Sequence, residues 1–240
     1  MKKIILLSSF LLALLLAFGA DAGKTPKEIV LASEEWANAT NKDGTGLYWD
    51  IFRAVYEPLG VKTKFIIRSY NGSVNLVQRH KADAVVGVYC DAIRGTLVSK
   101  YPFDKDYILV LFRKNKLRQW NGQETFKNKK VAWIKGYAFN ENLEVPFIKR
   151  EFEKREDILR LLDRDQVDFF MDTRNDLEAV LNKGIIDVTH YTVESVMELD
   201  RFLAFADNQK GRKLKKIFDD RFPLLVKSGK LEQLHAKWNW

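Results

Sequence analysis

Apolar positions in the first part of the chain follow two different spacings. Residues 28–33 and 84–88 are short, mostly apolar runs with several β-branched residues, which predicts strands. Residues 61–67 predict a strand by alternation, with residues 61, 63, 65 and 67 on one face. Between them, apolar residues recur at helical spacing in residues 47–59 and 74–77, which predicts two helices. The resulting β-α-β-α-β order predicts a parallel sheet covered by helices.

A second α/β unit follows. Residues 107–112 predict a strand that leaves the first unit, and a polar loop at 113–126 precedes strands predicted at 130–134, 144–148, 167–171 and 185–191. Residues 155–157 precede a predicted helix, and residues 201–206 predict a strand that returns to the first unit. Apolar residues at 214–225 and 231–238 predict two closing helices.

Polar and aromatic residues follow several of these strands directly. The run at 84–88 turns polar within two residues, so the side chains after it are expected at the carboxyl end of the sheet, where small ligands bind in open α/β folds. The candidate ligand-binding residues lie at such strand ends or at the turns beside them: Glu34, Trp36, Tyr70, Tyr89, Asp91, Arg94, Tyr137 and Asp172.

The amino-terminal segment has the pattern of a secretory signal peptide. Lys2 and Lys3 precede an apolar segment at 4–18, and Ala20-Asp21-Ala22 provides a small-x-small cleavage site. A membrane anchor is the alternative, but the apolar segment is shorter than the roughly 20 residues that a spanning helix needs. We therefore expect residues 1–22 to be removed and the mature protein to be periplasmic.

Composition excludes several classes of function. The formal net charge is +8, but Lys and Arg alternate with Asp and Glu, which favours a mixed solvated surface and no nucleic-acid partner. Cys90 is the only cysteine, so it is a free thiol and no internal disulfide forms. The three histidines are widely spaced, and the sequence has no P-loop, no G-x-S-x-G and no G-x-G-x-x-G. We expect no metal, no cofactor and no catalytic residue.

The stretch at 81–103 resembles the first-lobe signature of bacterial periplasmic solute-binding proteins of the polar-amino-acid ABC importer type, family 3. Its features are Gly87 at the strand end, Arg94 seven residues beyond it, and Tyr101-Pro102-Phe103. The similarity continues along the mature chain. It implies an α/β, two-lobed periplasmic-binding-protein-like fold of type II, with two crossing strands as the hinge. Lobe 1 would comprise residues 23–110 and 206–240, and lobe 2 residues 111–205.

The resemblance also implies roles for the candidate residues. Arg94 would bind the ligand carboxylate, because a guanidinium is a flat, two-pronged donor, and Asp172 would bind the α-ammonium group. Glu34 and Trp36 would be a polar and an aromatic contact from the first strand, and Tyr70 would be a second aromatic contact. The turn at Tyr137 would offer backbone N–H groups. Structural alternatives stay open: a solvated Arg94, Asp172 as a helix cap, and aromatic side chains that only pack the rim.

One departure from the family pattern affects the ligand. Tyr89 and Asp91 stand where the family usually has hydroxyl residues, between Gly87 and Arg94. Asp91 would either neutralise Arg94 or face an additional amine on a basic or polyamine-like solute.

The resemblance implies a monomeric protein that captures a small polar solute, an amino acid or related amine, and delivers it to a membrane ABC permease. Two alternatives use the same fold. One is a periplasmic dehydratase-like lyase in which Glu34 or Asp172 is the catalytic acid, and the other is a ligand-binding module that signals to a membrane sensor.

Overall fold

The computed structural model describes residues 24–89 and 93–240. Its strands are β1 Glu28–Ser33, β2 Lys62–Ile67, β3 Ala84–Val88, β4 Thr96–Val98, β5 Asp104–Arg113, β6 Lys130–Ile134, β7 Ile148–Phe152, β8 Phe169–Thr173 and β9 Tyr191–Ala206. Its α-helices are α1 Leu47–Tyr56, α2 Tyr70–Gln78, α3 Arg155–Asp163, α4 Arg174–Leu181, α5 Gln209–Lys227 and α6 Lys230–Trp238.

The strands form one continuous mixed sheet in the order β2-β1-β3-β9-β5-β8-β6-β7, with β4 also paired to β9. The pairs within β2-β1-β3 and within β8-β6-β7 are parallel, as the β-α-β pattern predicted. Strands β9 and β5 join these two groups through antiparallel pairs. The molecule is thus an α/β fold with two parallel units bridged by two long strands.

Each parallel unit has its own apolar core. We call lobe 1 the part around β1–β4 with α1, α2, α5 and α6, and lobe 2 the part around β6–β8 with α3 and α4. In lobe 1, α1 and α5 cover one face of the sheet through buried residues such as Phe52 and Phe218, while Val77 of α2 belongs to the cluster on the other face. Trp133, Phe139 and Phe170 are central in lobe 2.

Several predicted boundaries are wrong for local reasons. The strand predicted at 144–148 instead spans Ile148–Phe152, since Pro146 has no N–H to donate to a neighbouring strand. Residues 188–190 form a short 3-10 helix because the Asp187 carboxylate accepts a bond from the Thr189 N–H. Strand β9 therefore begins at Tyr191 and runs for 16 residues.

Candidate functional site

A cavity of about 300 Å³ lies between the two lobes. Lobe 1 contributes one side of α2 along its whole length and the segment around the end of β3, and lobe 2 contributes the turn after β6. The lining residues that matter for chemistry are Tyr70, Tyr89, Arg94, Tyr137, Glu141 and Asn142. The volume suits a small solute, since small-molecule sites begin at about this size.

Aromatic rings from both lobes form the cavity wall. The rings of Tyr70 and Tyr137 meet edge to face across the lobes, with centroids 5.8 Å apart. Tyr89 packs on Phe139 at 6.0 Å, which places a lobe 1 ring against the core of lobe 2. Such faces contact the apolar part of a solute and attract a cationic group.

The backbone of lobe 2 approaches lobe 1 closely at Gly136. The Asn71 side-chain amide donates to the Lys135 carbonyl at 3.3 Å, and a Cβ on Gly136 would lie 2.1 Å from the Asn71 oxygen. Gly136 also has a φ of +92°, which favours glycine. The contact between the lobes at this point therefore depends on a residue without a side chain.

Arg94 lies on the rim of the cavity with an exposed side chain. Its carbonyl accepts a bond from the Gln78 side chain at 3.1 Å, which fixes its backbone against α2. Glu141 of lobe 2 lines the same cavity and is likewise exposed. Among the described residues, the cavity thus carries one positive and one negative side chain, each from a different lobe.

A buried charge cluster lies behind Tyr137. The Arg155 guanidinium donates to Asp172 at 2.8 Å, to Asp176 at 2.7 Å and to the Tyr137 hydroxyl at 2.6 Å, and it approaches Glu34 at 3.5 Å. Arg155 belongs to α3, whereas Asp172 is the penultimate residue of β8 and Glu34 follows β1 in lobe 1. Three carboxylates therefore surround one guanidinium.

Burial dominates the titration of these carboxyl groups. It raises the pKa of Asp172 to about 7, although the adjacent Arg155 acts in the opposite direction. Burial also raises the pKa of Glu34, which Arg155 lowers and the charge of Asp176 raises further. Both groups consequently hold protons more tightly than an exposed carboxyl group does.

The Tyr137 hydroxyl connects this cluster to lobe 1. It lies 3.4 Å from the Glu34 carboxylate and accepts a bond of the same length from the Trp36 indole N–H. Together with the Arg155 contact, these bonds tie the end of β1 to lobe 2.

A second buried ion pair joins the strands that bridge the lobes. Arg201 of β9 donates through Nε to Asp106 of β5, and the Tyr89 hydroxyl donates to the same carboxylate. The Arg201 guanidinium also stacks over the Trp36 ring at 4.5 Å. Burial raises the pKa of Asp106, against the effect of Arg201.

Close packing fixes Trp36 in lobe 1. A Cβ on Gly87 would lie 2.7 Å from the Trp36 ring, and Gly87 has a φ of +81°. Gly87 interrupts the regular register of β3 with β9 and lets the indole ring pass beneath the strand. The signature glycine of the sequence analysis thus makes room for the first-strand aromatic residue.

The predicted site residues fall into two groups. Tyr70, Tyr89, Arg94 and Tyr137 line the cavity, whereas Glu34, Trp36 and Asp172 belong to the hydrogen-bonded layer behind it. Asp91 and Cys90 lie outside the described residues. Asp172 does not cap α4, because Thr173 does so through the Asp176 N–H.

Sequence reasoning missed Glu141, Arg155 and Arg201. Arg155 directly precedes a predicted helix and Arg201 begins a predicted strand, where a charged residue is ordinary, so neither position stands out. Apart from lying a few residues after the turn at Tyr137, Glu141 has no sequence feature that indicates a ligand-binding role.

Two properties of the described part of the chain bear on function. Within residues 24–89 and 93–240, no group of three or more His, Cys, Asp or Glu side chains is arranged to hold a metal ion. In the same residues, the helices are too short or too polar to cross a membrane.

Comparison with known proteins identifies the architecture. The family model described as bacterial extracellular solute-binding proteins, family 3, matches residues 33–240. A search of curated protein sequences finds no match.

Several solved structures share the fold at low identity. A mutant of ArgBP from T. maritima is 17% identical, with 88% of this chain and 95% of that chain covered and a TM-score of 0.68. The amino acid ABC transporter substrate-binding protein AbpA from Streptococcus pneumoniae, bound to L-arginine, is 18% identical, covering 88% and 94% with a TM-score of 0.64. A histidine kinase sensor domain with similarity to periplasmic binding proteins is 17% identical, covering 89% and 96% with a TM-score of 0.68.

Proposed function

Because the chain belongs to family 3 of the bacterial extracellular solute-binding proteins, we propose that it captures a small polar solute between its lobes and delivers it to an ABC importer. The solute is an amino acid or a related amine, and the protein acts in the periplasm as a monomer. The observation that carries this proposal is the cavity of about 300 Å³, whose described lining has aromatic walls, Arg94 from lobe 1 and Glu141 from lobe 2.

The hinge is part of the proposal. Strands β5 and β9 pair from Asp104 to Arg113 and are shared by both lobes, so bending within them would open the cavity. The lobe boundaries are those predicted from the sequence, 23–110 with 206–240 and 111–205. A solute that contacts both lobes favours the closed form, and an importer can then distinguish loaded from empty protein.

The experiment is a ligand screen combined with scattering. The mature protein is unfolded, refolded to remove carried-over solute, and tested by thermal shift against amino acids, polyamines and small organic acids. A ligand at about a hundred times its dissociation constant adds roughly 2.7 kcal/mol of stability. A hit that also reduces the radius of gyration supports the proposal, and a hit that leaves compactness unchanged contradicts the hinge.

A sensor module is the second candidate, favoured by the similarity to a histidine kinase sensor domain. The genes beside this one discriminate between the two functions. Permease and ATPase genes support import, and a membrane kinase gene supports sensing.

The lyase alternative has one supporting observation, the raised pKa of Glu34 and Asp172. Neither carboxyl group is among the residues that line the cavity, and both contact Arg155. A general acid must reach the substrate, so the geometry favours binding without catalysis. Turnover of an aromatic-precursor acid by the purified protein would reverse this conclusion.

A further inference from the structure

The two charged side chains on the cavity rim lack ion-pair partners among the residues that the structure describes. Arg94 and Glu141 line the same cavity, and neither forms a salt bridge with a residue that the structure describes. We propose that Glu141, and not Asp172, binds the ammonium group of the solute. This inference rests on the proposed function and specifies which solutes the cavity accepts.

Asp172 is already occupied by the protein itself. One of its carboxylate oxygens accepts from Arg155 at 2.8 Å, and the other accepts from the Thr173 backbone N–H at 2.9 Å. Its side chain is fully buried and does not line the cavity. The guanidinium of Arg155 therefore fills the place that a ligand ammonium group would take beside Asp172.

Glu141 is held at the cavity by a well-packed turn. Ala138, with a φ of +52°, directs the chain into a short 3-10 helix from Phe139 to Asn142. Phe139 anchors this helix by packing against Trp133, Tyr137 and Tyr89 at centroid distances of 5.6–6.0 Å.

The charge of Glu141 acts on the opposite wall of the cavity. Burial raises the pKa of Tyr70, and the charge of Glu141 raises it further, while Arg201 lowers it. Both residues line the same cavity, the carboxylate from lobe 2 and the ring from lobe 1. A cationic group between the two would contact a carboxylate and an aromatic face together.

This arrangement selects a zwitterion. Arg94 of lobe 1 offers donors to a carboxylate, and Glu141 of lobe 2 offers acceptors to an ammonium group. A solute with both charges links the lobes, whereas one with a single charge contacts one lobe only. Recognition of the amino group by Glu141 would therefore contribute to closure as well as to affinity.

The test compares amino acids with the matching acids that lack the α-amino group, for example L-glutamate with glutarate. The refolded mature protein is first screened by thermal shift against amino acids, their deaminated acids and their decarboxylated amines. For each hit, calorimetric dissociation constants are measured for the amino acid and its deaminated acid with wild type, Glu141→Gln, Asp172→Asn and Glu178→Gln. Glu178 is an exposed lobe 2 glutamate outside the cavity and is the matched control.

In wild type we expect the deaminated acid to bind about a hundredfold more weakly than the amino acid. Glu141→Gln should reduce this ratio to less than about fivefold, because the charged acceptor is lost while the fold is unaffected at an exposed position. Glu178→Gln and Asp172→Asn should keep the ratio of wild type.

Each other outcome overturns the inference. If Glu141→Gln keeps the ratio, or if Asp172→Asn alone removes it, Glu141 is not the ammonium acceptor and the binding function stands. If amines or acids bind and amino acids show no preference over them, the solute is not recognised as a zwitterion. If nothing in the panel binds, the proposed function is wrong and the inference falls with it.

Discussion

The Arg155 guanidinium and the Asp172 carboxylate form an ion pair at 2.8 Å, with Asp172 fully buried in lobe 2. The same guanidinium holds Asp176 at 2.7 Å and approaches Glu34 of lobe 1 at 3.5 Å. Among the described residues, Arg155 is therefore the one cation that pairs with this group of carboxylates at the junction of the lobes, of which Asp172 is fully buried and the other two are largely buried.

At about pH 8, where Asp172 is ionised, replacing Arg155 with Gln should lower the free energy of unfolding by about 3–5 kcal/mol, because it leaves the buried Asp172 carboxylate and two largely buried carboxylates without a counter-ion. Urea denaturation measures the change. Arg160→Gln is the control, since Arg160 is exposed and its one described ion pair is with the exposed Asp157, and it should cost less than about 1 kcal/mol. If the two variants lose equal unfolding free energy, the cluster around Arg155 stabilises the protein no more than an exposed ion pair does.

The raised pKa of Asp172 predicts a pH dependence of stability. The folded protein keeps this proton up to about pH 7, whereas the unfolded chain releases it near its ordinary value of 3.8. Between these two pH values, ionisation of Asp172 lowers the free energy of the unfolded state but not that of the folded state. The contribution of Asp172 to stability therefore falls as pH rises, by at most about 1.4 kcal/mol per pH unit.

The difference between wild type and Asp172→Asn isolates this effect, because the remaining carboxyl groups are common to both proteins. From pH 4 to pH 7, the unfolding free energy of wild type should fall steadily relative to that of Asp172→Asn. A difference that stays constant, or that shifts towards wild type, would mean that Asp172 is ionised throughout this range.

The Tyr137 hydroxyl contacts groups of both lobes, so Tyr137→Phe should weaken the junction. The loss of hydrogen bonds to charged partners should cost about 1–2 kcal/mol, and the radius of gyration of the ligand-free protein should increase. Tyr107→Phe is the matched control, since Tyr107 is 42% exposed. A Tyr137→Phe protein as stable and as compact as the control would contradict the bridging role.

Gly136→Ala should hinder closure. The added methyl group would meet the Asn71 side chain at 2.1 Å, so the lobes must separate or Asn71 must move. Gly184→Ala is the control, because Gly184 also has a positive φ, +65°, but has nothing within 4 Å of the added carbon.

Both glycine variants should lose about 1 kcal/mol of stability from backbone strain, whereas only Gly136→Ala should enlarge the radius of gyration. Adding Asn71→Ala to Gly136→Ala should restore compactness, because the obstructing atoms are gone. If the double variant stays as expanded as Gly136→Ala, a contact other than that with the Asn71 side chain keeps the lobes apart.

The sequence predicted the two α/β units because strand and helix periodicities are local properties. It did not predict β4 at Thr96–Val98, which is short and only partly buried, so its pairing with β9 leaves a weak periodic signal. The length of β9 was also missed, since its first part alternates between partly buried and exposed positions.

The site was less accessible to sequence reasoning than the fold. Strand ends correctly indicated where polar residues gather, and four of the eight candidates line one cavity. Which charges pair with one another depends on tertiary distance, and Asp172 is 17 residues from Arg155 while Glu34 is 121 residues away. No local sequence pattern identifies such partners. In the sequence, a carboxylate that would bind a ligand ammonium group therefore cannot be distinguished from one that pairs with an arginine of the protein itself.

The strands shared between the lobes also determine how the molecule can be divided. Strand β9 pairs with β3 and β4 near its end and with β5 before that, while β5 pairs with β8 of lobe 2. Cutting the chain into separate lobes would remove a neighbour from this long central strand and expose its backbone groups, which favours aggregation. The two lobes are therefore not independent folding modules, and a gene fragment that encodes one of them should yield insoluble protein.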